Sequence, residues 1–309
     1  MGTLWHPNED LASEEAAAER YTRAFVSPTL FHAISALKGQ KLAGWQVMSI
    51  YAVGAHGLLL RTCKGKQPGL LKMPHLPYDR PADFGVAEIG AARAALEFEA
   101  RMLNTFANGL LPRVLEFARA SNPLLRDRAR KVVRGEKVLV MEFIPGQAMD
   151  SGIQALLRVR GAEEVVCCLR AWALQILGFL SLLKARSPGY FYTDFKPSNV
   201  RLASDGRVRL LDGGSITWPG ANRPVPVTSG YCPRSLLELS PEGAVLETIS
   251  LTTLGRALYA SLLNRVLHPD AELDFAPLPQ VCGRAWAEWL QPTCRGDWRS
   301  LEEAARQVP

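Results

Sequence analysis

The chain has 309 residues, of which 48% are hydrophobic and 21% are charged. This length predicts about two domains or lobes, and the globular composition excludes long disordered tracts, collagen-like repeats and coiled coils. The formal net charge is +6, from 36 Lys and Arg against 30 Asp and Glu. So small a positive excess allows phosphate-bearing ligands such as nucleotides, but we expect no nucleic acid partner.

The cysteines and the apolar segments indicate a cytoplasmic protein. The six cysteines form no C-x-x-C pair, so we expect reduced thiols and no zinc site. The N-terminal residues are acidic and lack the apolar run of a signal peptide. The most apolar stretch, 165–183, carries Arg170 and Gln175, which predicts a buried helix and no membrane association.

Hydrophobic spacing predicts two helices over residues 1–40. The first is an Ala- and Glu-rich run that Asp10 or Ser13 could cap, and the second begins at Pro28. From Trp45 the pattern changes to alternation, which predicts a strand. One face of that strand is expected to carry Trp45, Val47, Ser49 and Tyr51.

The following segments predict a small sheet with one main helix. Apolar residues at helical spacing predict this helix over 86–106. A basic loop, with five positive charges in residues 126–134, is expected to be solvated. The further strands are expected over 58–61, 70–73, 113–119 and 137–143.

The second half of the chain is predicted to be mainly helical. A β-hairpin interrupts it over 200–211, where Asp205-Gly206 is a two-residue turn signal. A β-rich half followed by a larger helical half predicts an α+β protein. Its expected parts are a helical extension over 1–40, a small lobe over 41–144 and a large lobe over 145–309.

The segment with the clearest chemistry runs from Tyr192 to Asn199 and has the sequence Y-T-D-F-K-P-S-N. Asp194, Lys196 and Asn199 lie on one short loop before the hairpin, and Asp212 lies on a second short loop after it. Phosphoryl transfer needs such a set, because a carboxylate must orient the attacking hydroxyl and a cation must offset the charge on the transferred group. Carboxylate and amide oxygens are also ligands that Mg²⁺ accepts together with phosphates and water.

This segment resembles the catalytic and metal-binding loops of the eukaryotic-like protein kinases, written H-R-D-x-K-P-x-x-N and D-F-G. Asp194, Lys196, Pro197 and Asn199 match that pattern, and Asp212 follows Asp194 by 18 residues. The resemblance implies a bilobal kinase-like fold that binds ATP and Mg²⁺. It also implies roles: Asp194 as the catalytic carboxylate, Lys196 as the cation, and Asn199 with Asp212 as metal ligands.

Upstream, residues 52–59 resemble a degraded glycine-rich loop. Its glycines, Gly54 and Gly57, would let backbone amides approach the nucleotide phosphates. Lys72 lies 15 residues after Gly57. This position resembles that of the family's lysine that pairs with the α- and β-phosphates.

The resemblance also implies a partner for that lysine and a hinge that binds adenine. The register E-x-x-x-L-x-x-L gives Glu99 as the partner, with Glu97 as the alternative. Residues 138–146 resemble the fifth strand and the hinge, although they would equally form a core strand that ends in a turn. In the hinge interpretation, the adenine pocket would be formed with Met141, Glu142 and Ile144.

Several positions depart from the family pattern. Tyr192 and Thr193 replace the His and Arg of H-R-D, so a phosphorylated loop would lack its usual cationic partner. Gly213 replaces the Phe of D-F-G. The segment 233–235 stands where A-P-E is expected and has no glutamate.

Downstream, Thr228-Ser-Gly230-Tyr231 resembles the T-x-G-Y substrate-docking segment of the family. Ser250 occupies a position of the central helix that the family usually gives to Asp. Glu247, one turn earlier, could compensate for that change.

These residues predict an ATP- and Mg²⁺-dependent kinase that phosphorylates Ser or Thr of a protein partner. Lys196, two residues after Asp194, favours a protein acceptor, because related small-molecule kinases usually lack this lysine. Two alternatives remain at this point. One is a small-molecule kinase of related fold, and the other is a pseudokinase that acts as a binding module.

Overall fold

The computed structural model describes residues 7–53, 57–74, 86–107, 109–126, 131–203, 205–269 and 272–309. The chain forms two compact units, Met1–Pro145 and Gly146–Pro309. The first is rich in β-strands and the second is mainly helical, which confirms the α+β prediction.

Among its described residues, the first unit contains three helices and a six-stranded antiparallel sheet. The helices are α1 (Pro7–Phe25), α2 (Pro28–Ser35) and α3 (Val86–Thr105). The strands are β1 (Lys41–Leu42), β2 (Trp45–Val53), β3 (Leu58–Lys64), β4 (Gln67–Met73), β5 (Val114–Arg126) and β6 (Val132–Glu142). Their order in the sheet is β1-β2-β3-β4-β6-β5.

The helix α2 is fixed by its cap and by its apolar face. Ser27 Oγ accepts a hydrogen bond from the backbone amide of Leu30, and Pro28 stands in the first turn, as helix N-termini favour. The spacing of Phe31 and Ile34 then places both side chains in the core of the first unit. Helix α2 is therefore part of this unit's core.

Two details of the predicted N-terminal half are wrong. Helix α1 already includes Asp10 and Ser13, so neither is its N-cap. In β2 the buried face switches from Trp45 and Val47 to Ile50, because the pairing with β3 shifts register between Val47 and Ser49. Such a bulge adds a residue to one strand and reverses the faces beyond it.

The strands β5 and β6 are longer than predicted. β5 extends to Arg126 and β6 begins at Val132, so both ends of the expected basic loop lie in strands. Residues 127–130 of that loop lie outside the described residues.

The second unit has seven helices among its described residues. They are α4 (Met149–Arg160), α5 (Ala162–Lys184), α6 (Arg234–Leu237), α7 (Gly243–Leu263), α8 (Leu278–Cys282), α9 (Arg284–Arg295) and α10 (Leu301–Arg306). Its strands form two small sheets from β7 (Gly146–Ala148), β8 (Phe191–Tyr192), β9 (Val200–Ala203), β10 (Val208–Leu210) and β11 (Ile216–Thr217). The sheet orders are β10-β9-β7 and β11-β8.

Helix α5 contains the apolar stretch noted in the sequence. It is long and apolar enough to cross a membrane, a property that core helices of soluble proteins share. Nine of its side chains are buried in the second unit, including Trp172 and Phe179. In the β9–β10 hairpin, Leu202 pairs with Val208, so the connection is longer than the predicted two-residue turn.

We predict that Ile34→Ala lowers the free energy of unfolding by about 2–5 kcal/mol, the usual cost of a buried Ile-to-Ala change. Ile34 is 1% exposed and packs into the core of the first unit. Urea unfolding measures the change, with exposed His32→Gln as the control on the same helix. A loss below about 0.5 kcal/mol, the range of surface substitutions, would contradict the place of α2 in this core.

Candidate functional site

In the first unit, Lys72 of β4 forms an ion pair with Glu99 of α3. The distance from Lys72 Nζ to Glu99 Oε2 is 2.6 Å, and the Glu99 side chain is only 4% exposed. A carboxylate buried this deeply is stable as an anion only when it is paired. The structure therefore brings together two residues that lie 27 positions apart in the sequence.

The register of the sheet places a glycine next to this lysine. Leu59 pairs with Lys72 and Leu58 pairs with Met73, so Gly57 lies beside the Lys72 stem. A Cβ at Gly57 would lie 3.3 Å from Lys72 Cε and 3.3 Å from the Met73 carbonyl oxygen, which is a tight fit. Gly54, the other predicted glycine, lies outside the described residues.

Helix α3 is tied to the sheet by two further ion pairs. Arg93 forms a two-pronged contact with Glu136 of β6, at 2.8 Å from Nε to Oε1 and 2.7 Å from Nη2 to Oε2. Glu97 pairs with Lys137 at 2.5 Å, so it is engaged away from Lys72. Of the two glutamates that the sequence offered, the structure pairs Glu99 with Lys72.

The predicted adenine-binding residues form the end of β6 and the segment that follows it. Met141 is buried opposite Leu70. The backbone amide of Glu142 donates to the Arg113 carbonyl at 2.8 Å, and its carboxylate accepts from the Arg113 amide at 3.2 Å. Ile144 is also buried, one residue before the end of the first unit.

In the second unit, Asp194 lies at the centre of a compact polar cluster. Its Oδ2 lies 3.2 Å from Asn199 Nδ2 and 3.5 Å from Lys196 Nζ. Asn199 Nδ2 also donates to the Asp194 carbonyl at 3.0 Å, and Lys196 Nζ donates to Thr228 Oγ1 at 2.9 Å. The Asp194 Oδ1 atom is buried and has no hydrogen-bond partner among the described residues.

The Asp212 carboxylate is held by its own loop. Its Oδ1 accepts from the Gly214 amide at 2.8 Å, and its Oδ2 accepts from Ser215 Oγ at 3.2 Å. A Cβ at Gly214 would lie 2.9 Å from Asp212 Oδ1, which is closer than real side chains allow. A side chain in place of the second glycine of D-G-G would therefore push this carboxylate from its position.

Backbone hydrogen bonds join the loop of Asp194 to the loop of Asp212. The short strands β8 and β11 pair antiparallel, and the Thr193 amide donates to the Ser215 carbonyl at 3.0 Å. At the other end, the Leu211 amide donates to the Asn199 carbonyl at 2.9 Å. The four residues that the sequence singled out thus belong to one bonded framework.

Arg223 is a contributor to this framework that the sequence analysis missed. Its Nη2 donates to the carbonyls of Gly214 and Ile216, at 2.5 and 2.8 Å. Burial lowers the pKa of Arg223 from its ordinary value, and the nearby Asp212 carboxylate opposes that shift. No pattern in the sequence marks this residue, because the groups that bind it are backbone carbonyls.

The chain is similar to known proteins in its three-dimensional structure. No protein-family model and no curated protein matches the chain. Among solved structures, the apo form of PpkA-294 has a TM-score of 0.60 at 14% identity, covering 88% of this chain and 98% of that one. The ROP18 kinase domain in complex with AMP-PNP and sucrose has a TM-score of 0.60 at 15% identity, covering 90% of this chain and 84% of that one.

The chain has a divergent protein-kinase-like fold. The bilobal α+β architecture expected from the sequence is confirmed by these two similarities over most of the chain. At such low identity the similarity concerns the fold.

The departures from the kinase pattern have specific structural substitutes. Thr193, in the place of the H-R-D arginine, is fully buried, and its Oγ1 donates to the Pro226 carbonyl at 2.7 Å. Ser250 donates within its own helix to the Leu246 carbonyl. Glu247 accepts from Lys184 at 2.9 Å and from the Leu301 amide at 2.6 Å, so it connects three segments of the second unit.

Asn199 and Asp212 fit a site for Mg²⁺ of the kind that relies on nucleotide oxygens. Asn199 uses its amide nitrogen toward Asp194, which leaves its amide oxygen as the group suited to a hard cation. Within the described parts of the chain, no three His, Cys, Asp or Glu side chains cluster as a metal site. A cation at these residues would therefore need phosphate and water oxygens to complete its ligands.

We predict that Arg223→Met lowers the free energy of unfolding by about 1–3 kcal/mol, because two buried carbonyls lose a charged donor. Amide hydrogen exchange should rise in residues 213–216, the segment in which Arg223 binds the Gly214 and Ile216 carbonyls. Exposed Arg284→Met, which removes only an i,i+4 pair with Glu288, is the control. Unchanged exchange in residues 213–216 would show that Arg223 does not hold this loop.

Proposed function

We propose that the protein is a kinase that transfers the γ-phosphoryl group of ATP to a Ser or Thr hydroxyl of a protein, with Mg²⁺. The proposal rests on the Asp194 cluster. A buried carboxylate there lies 3.5 Å from the Lys196 ammonium and 3.2 Å from the Asn199 amide nitrogen. A base, a cation and a candidate metal ligand in one loop are the set that phosphoryl transfer requires.

In this mechanism Asp194 orients the acceptor hydroxyl and receives its proton. Its buried Oδ1 atom, which has no hydrogen-bond partner among the described residues, is the acceptor suited to that role. The hydroxyl oxygen forms a bond to the γ-phosphorus, and the bond to the β,γ-bridging oxygen breaks, so that ADP leaves. Lys196 offsets the negative charge on the phosphoryl group during this exchange.

The nucleotide would be held by the residues that the resemblance assigned. Lys72, fixed by Glu99, would pair with the α- and β-phosphates, and Gly57 would let the backbone approach them. Adenine would be bound by backbone groups of Glu142 and Ile144. Mg²⁺, held by Asn199 and Asp212, would neutralise charge on the phosphate oxygens.

The contact between Lys196 and Thr228 supports a protein acceptor. Thr228 belongs to the T-x-G-Y segment that resembles a substrate-docking element, and its hydroxyl accepts from Lys196 at 2.9 Å. Tyr231 of the same segment has a pKa raised by burial and by the charges of Asp150 and Asp194, so it lies in the electrostatic field of the catalytic loop.

One observation favours a second candidate, a pseudokinase that binds nucleotide without transferring phosphate. Arg223 lies close enough to Asp212 for the two charges to interact. A guanidinium beside a metal-binding carboxylate can take over part of the charge neutralisation that a metal would give. In that case nucleotide would bind equally well without Mg²⁺.

We predict that Asp194→Asn lowers phosphate transfer by about 10²–10⁴-fold, the usual contribution of a general base. Nucleotide affinity should stay close to that of the wild type, since the carboxylate acts on the acceptor. Transfer is measured with γ-labelled ATP on pooled peptides and pooled metabolites, with Mg²⁺ or EDTA. Exposed Asp205→Asn, in the hairpin of the same unit, is the control.

Label on peptides, lost in Asp194→Asn and in EDTA, is the expected result. Label on metabolites would replace the protein acceptor with a small molecule. Nucleotide binding that EDTA does not weaken, with no transfer, would establish the pseudokinase.

A further inference from the structure

We infer that Arg61 is a positioning residue that couples the N-terminal helix α1 to the connecting segment, residues 143–145, at the end of the first unit. Through that segment it acts on nucleotide binding, and this last step rests on the proposed function. Arg61 lies in β3, between Ser49 of β2 and Leu70 of β4.

One guanidinium group makes both contacts. Arg61 Nη1 forms an ion pair and hydrogen bond with Glu15 Oε1 of α1. Its Cζ atom lies 5.2 Å from the centroid of the Phe143 ring, a cation–π distance. The planar, delocalised guanidinium suits both partners, because its edge donates to carboxylates and its face packs on rings.

Phe143 is held from a second side by the strand that leads toward the glycine-rich segment. Tyr51 of β2 meets Phe143 edge-on, with ring centroids 6.1 Å apart at an interplanar angle of 90°. Phe143 itself is buried, at 8% exposure. The contacts of Arg61 and Tyr51 therefore fix a residue that lies between Glu142 and Ile144, whose backbone groups would bind adenine.

These contacts predict how loss of the Glu15–Arg61 ion pair would change residues 143–145. Loss of the Glu15 carboxylate frees the Arg61 side chain to leave the Phe143 ring, and the connecting segment loosens. The Glu142 amide, bonded to the Arg113 carbonyl, then exchanges more readily. Loss of a partly exposed ion pair or of a cation–π contact shifts the equilibrium between the ordered and the loosened segment by about two- to tenfold.

The test compares Glu15→Gln and Arg61→Gln with a matched control on the same helix. That control is Glu19→Gln, which breaks an exposed i,i+4 pair with Arg23. Ile34→Val, in the core of the first unit, controls for general loss of stability. The readouts are amide exchange over residues 139–145 without nucleotide, and the dissociation constant of Mg·ATP.

We expect both test variants to raise exchange in this segment and to weaken Mg·ATP about two- to tenfold, while both controls leave the two readouts unchanged. Arg61→Lys, which keeps a cation for Glu15 but lacks the planar guanidinium that packs on Phe143, should recover only part of the loss. The charge swap, Glu15→Arg with Arg61→Glu, should restore the ion pair but not the affinity, because a carboxylate gains nothing from the Phe143 ring.

Exchange and affinity that match the Glu19→Gln control would overturn the inference, and so would tighter nucleotide binding in Glu15→Gln. A wild type that binds no nucleotide, with the expected rise in exchange, would refute the proposed function while leaving the coupling of α1 to Phe143 intact.

Discussion

Two sets of backbone hydrogen bonds hold the loop of Asp194 against the loop of Asp212. The β8–β11 pairing and the bond from the Thr193 amide to Ser215 lie at one end, and the bond from Leu211 to the Asn199 carbonyl lies at the other. Buried backbone groups must be paired, so these loops cannot separate without a large energetic cost. The backbones of the two loops therefore keep their relative position, which a preorganised site requires.

The first unit contributes a second fixed element, the ion pair of Lys72 and Glu99. A buried ion pair gives little net stability, because desolvation offsets the attraction between the charges. Its clearest effect is therefore positional, because it holds Lys72 Nζ 2.6 Å from Glu99 Oε2. The two-pronged pair of Arg93 with Glu136 holds α3, the helix that carries Glu99, against β6.

The polar cluster around Asp194 was predictable because its members are close together in the sequence. Asp194, Lys196 and Asn199 lie within six residues, and a hairpin determines where Asp212 follows. The pair of Lys72 with Glu99 required the register of a helix, and the family pattern supplied it. The helical pattern of residues 28–37 predicted α2, but an apolar face does not reveal which surface it will cover.

Other features depend on contacts between distant residues, which no local sequence pattern predicts. The bulge in β2 arises from its pairing with β3, so the alternation around Ser49 gave the wrong face. Arg223 binds carbonyl oxygens, which every residue has, and Arg61 meets Glu15 across 46 positions. Only the folded chain brings these groups together.

The most direct test of the account is a crystal structure with a non-hydrolysable ATP analogue and Mn²⁺, whose anomalous signal marks the metal. We expect a peak at coordination distance, about 2.0–2.3 Å for such cations, from Asp212 and the Asn199 amide oxygen, with Lys72 at the phosphates. A bound analogue whose metal contacts neither residue, or a chain that binds no analogue, would contradict it.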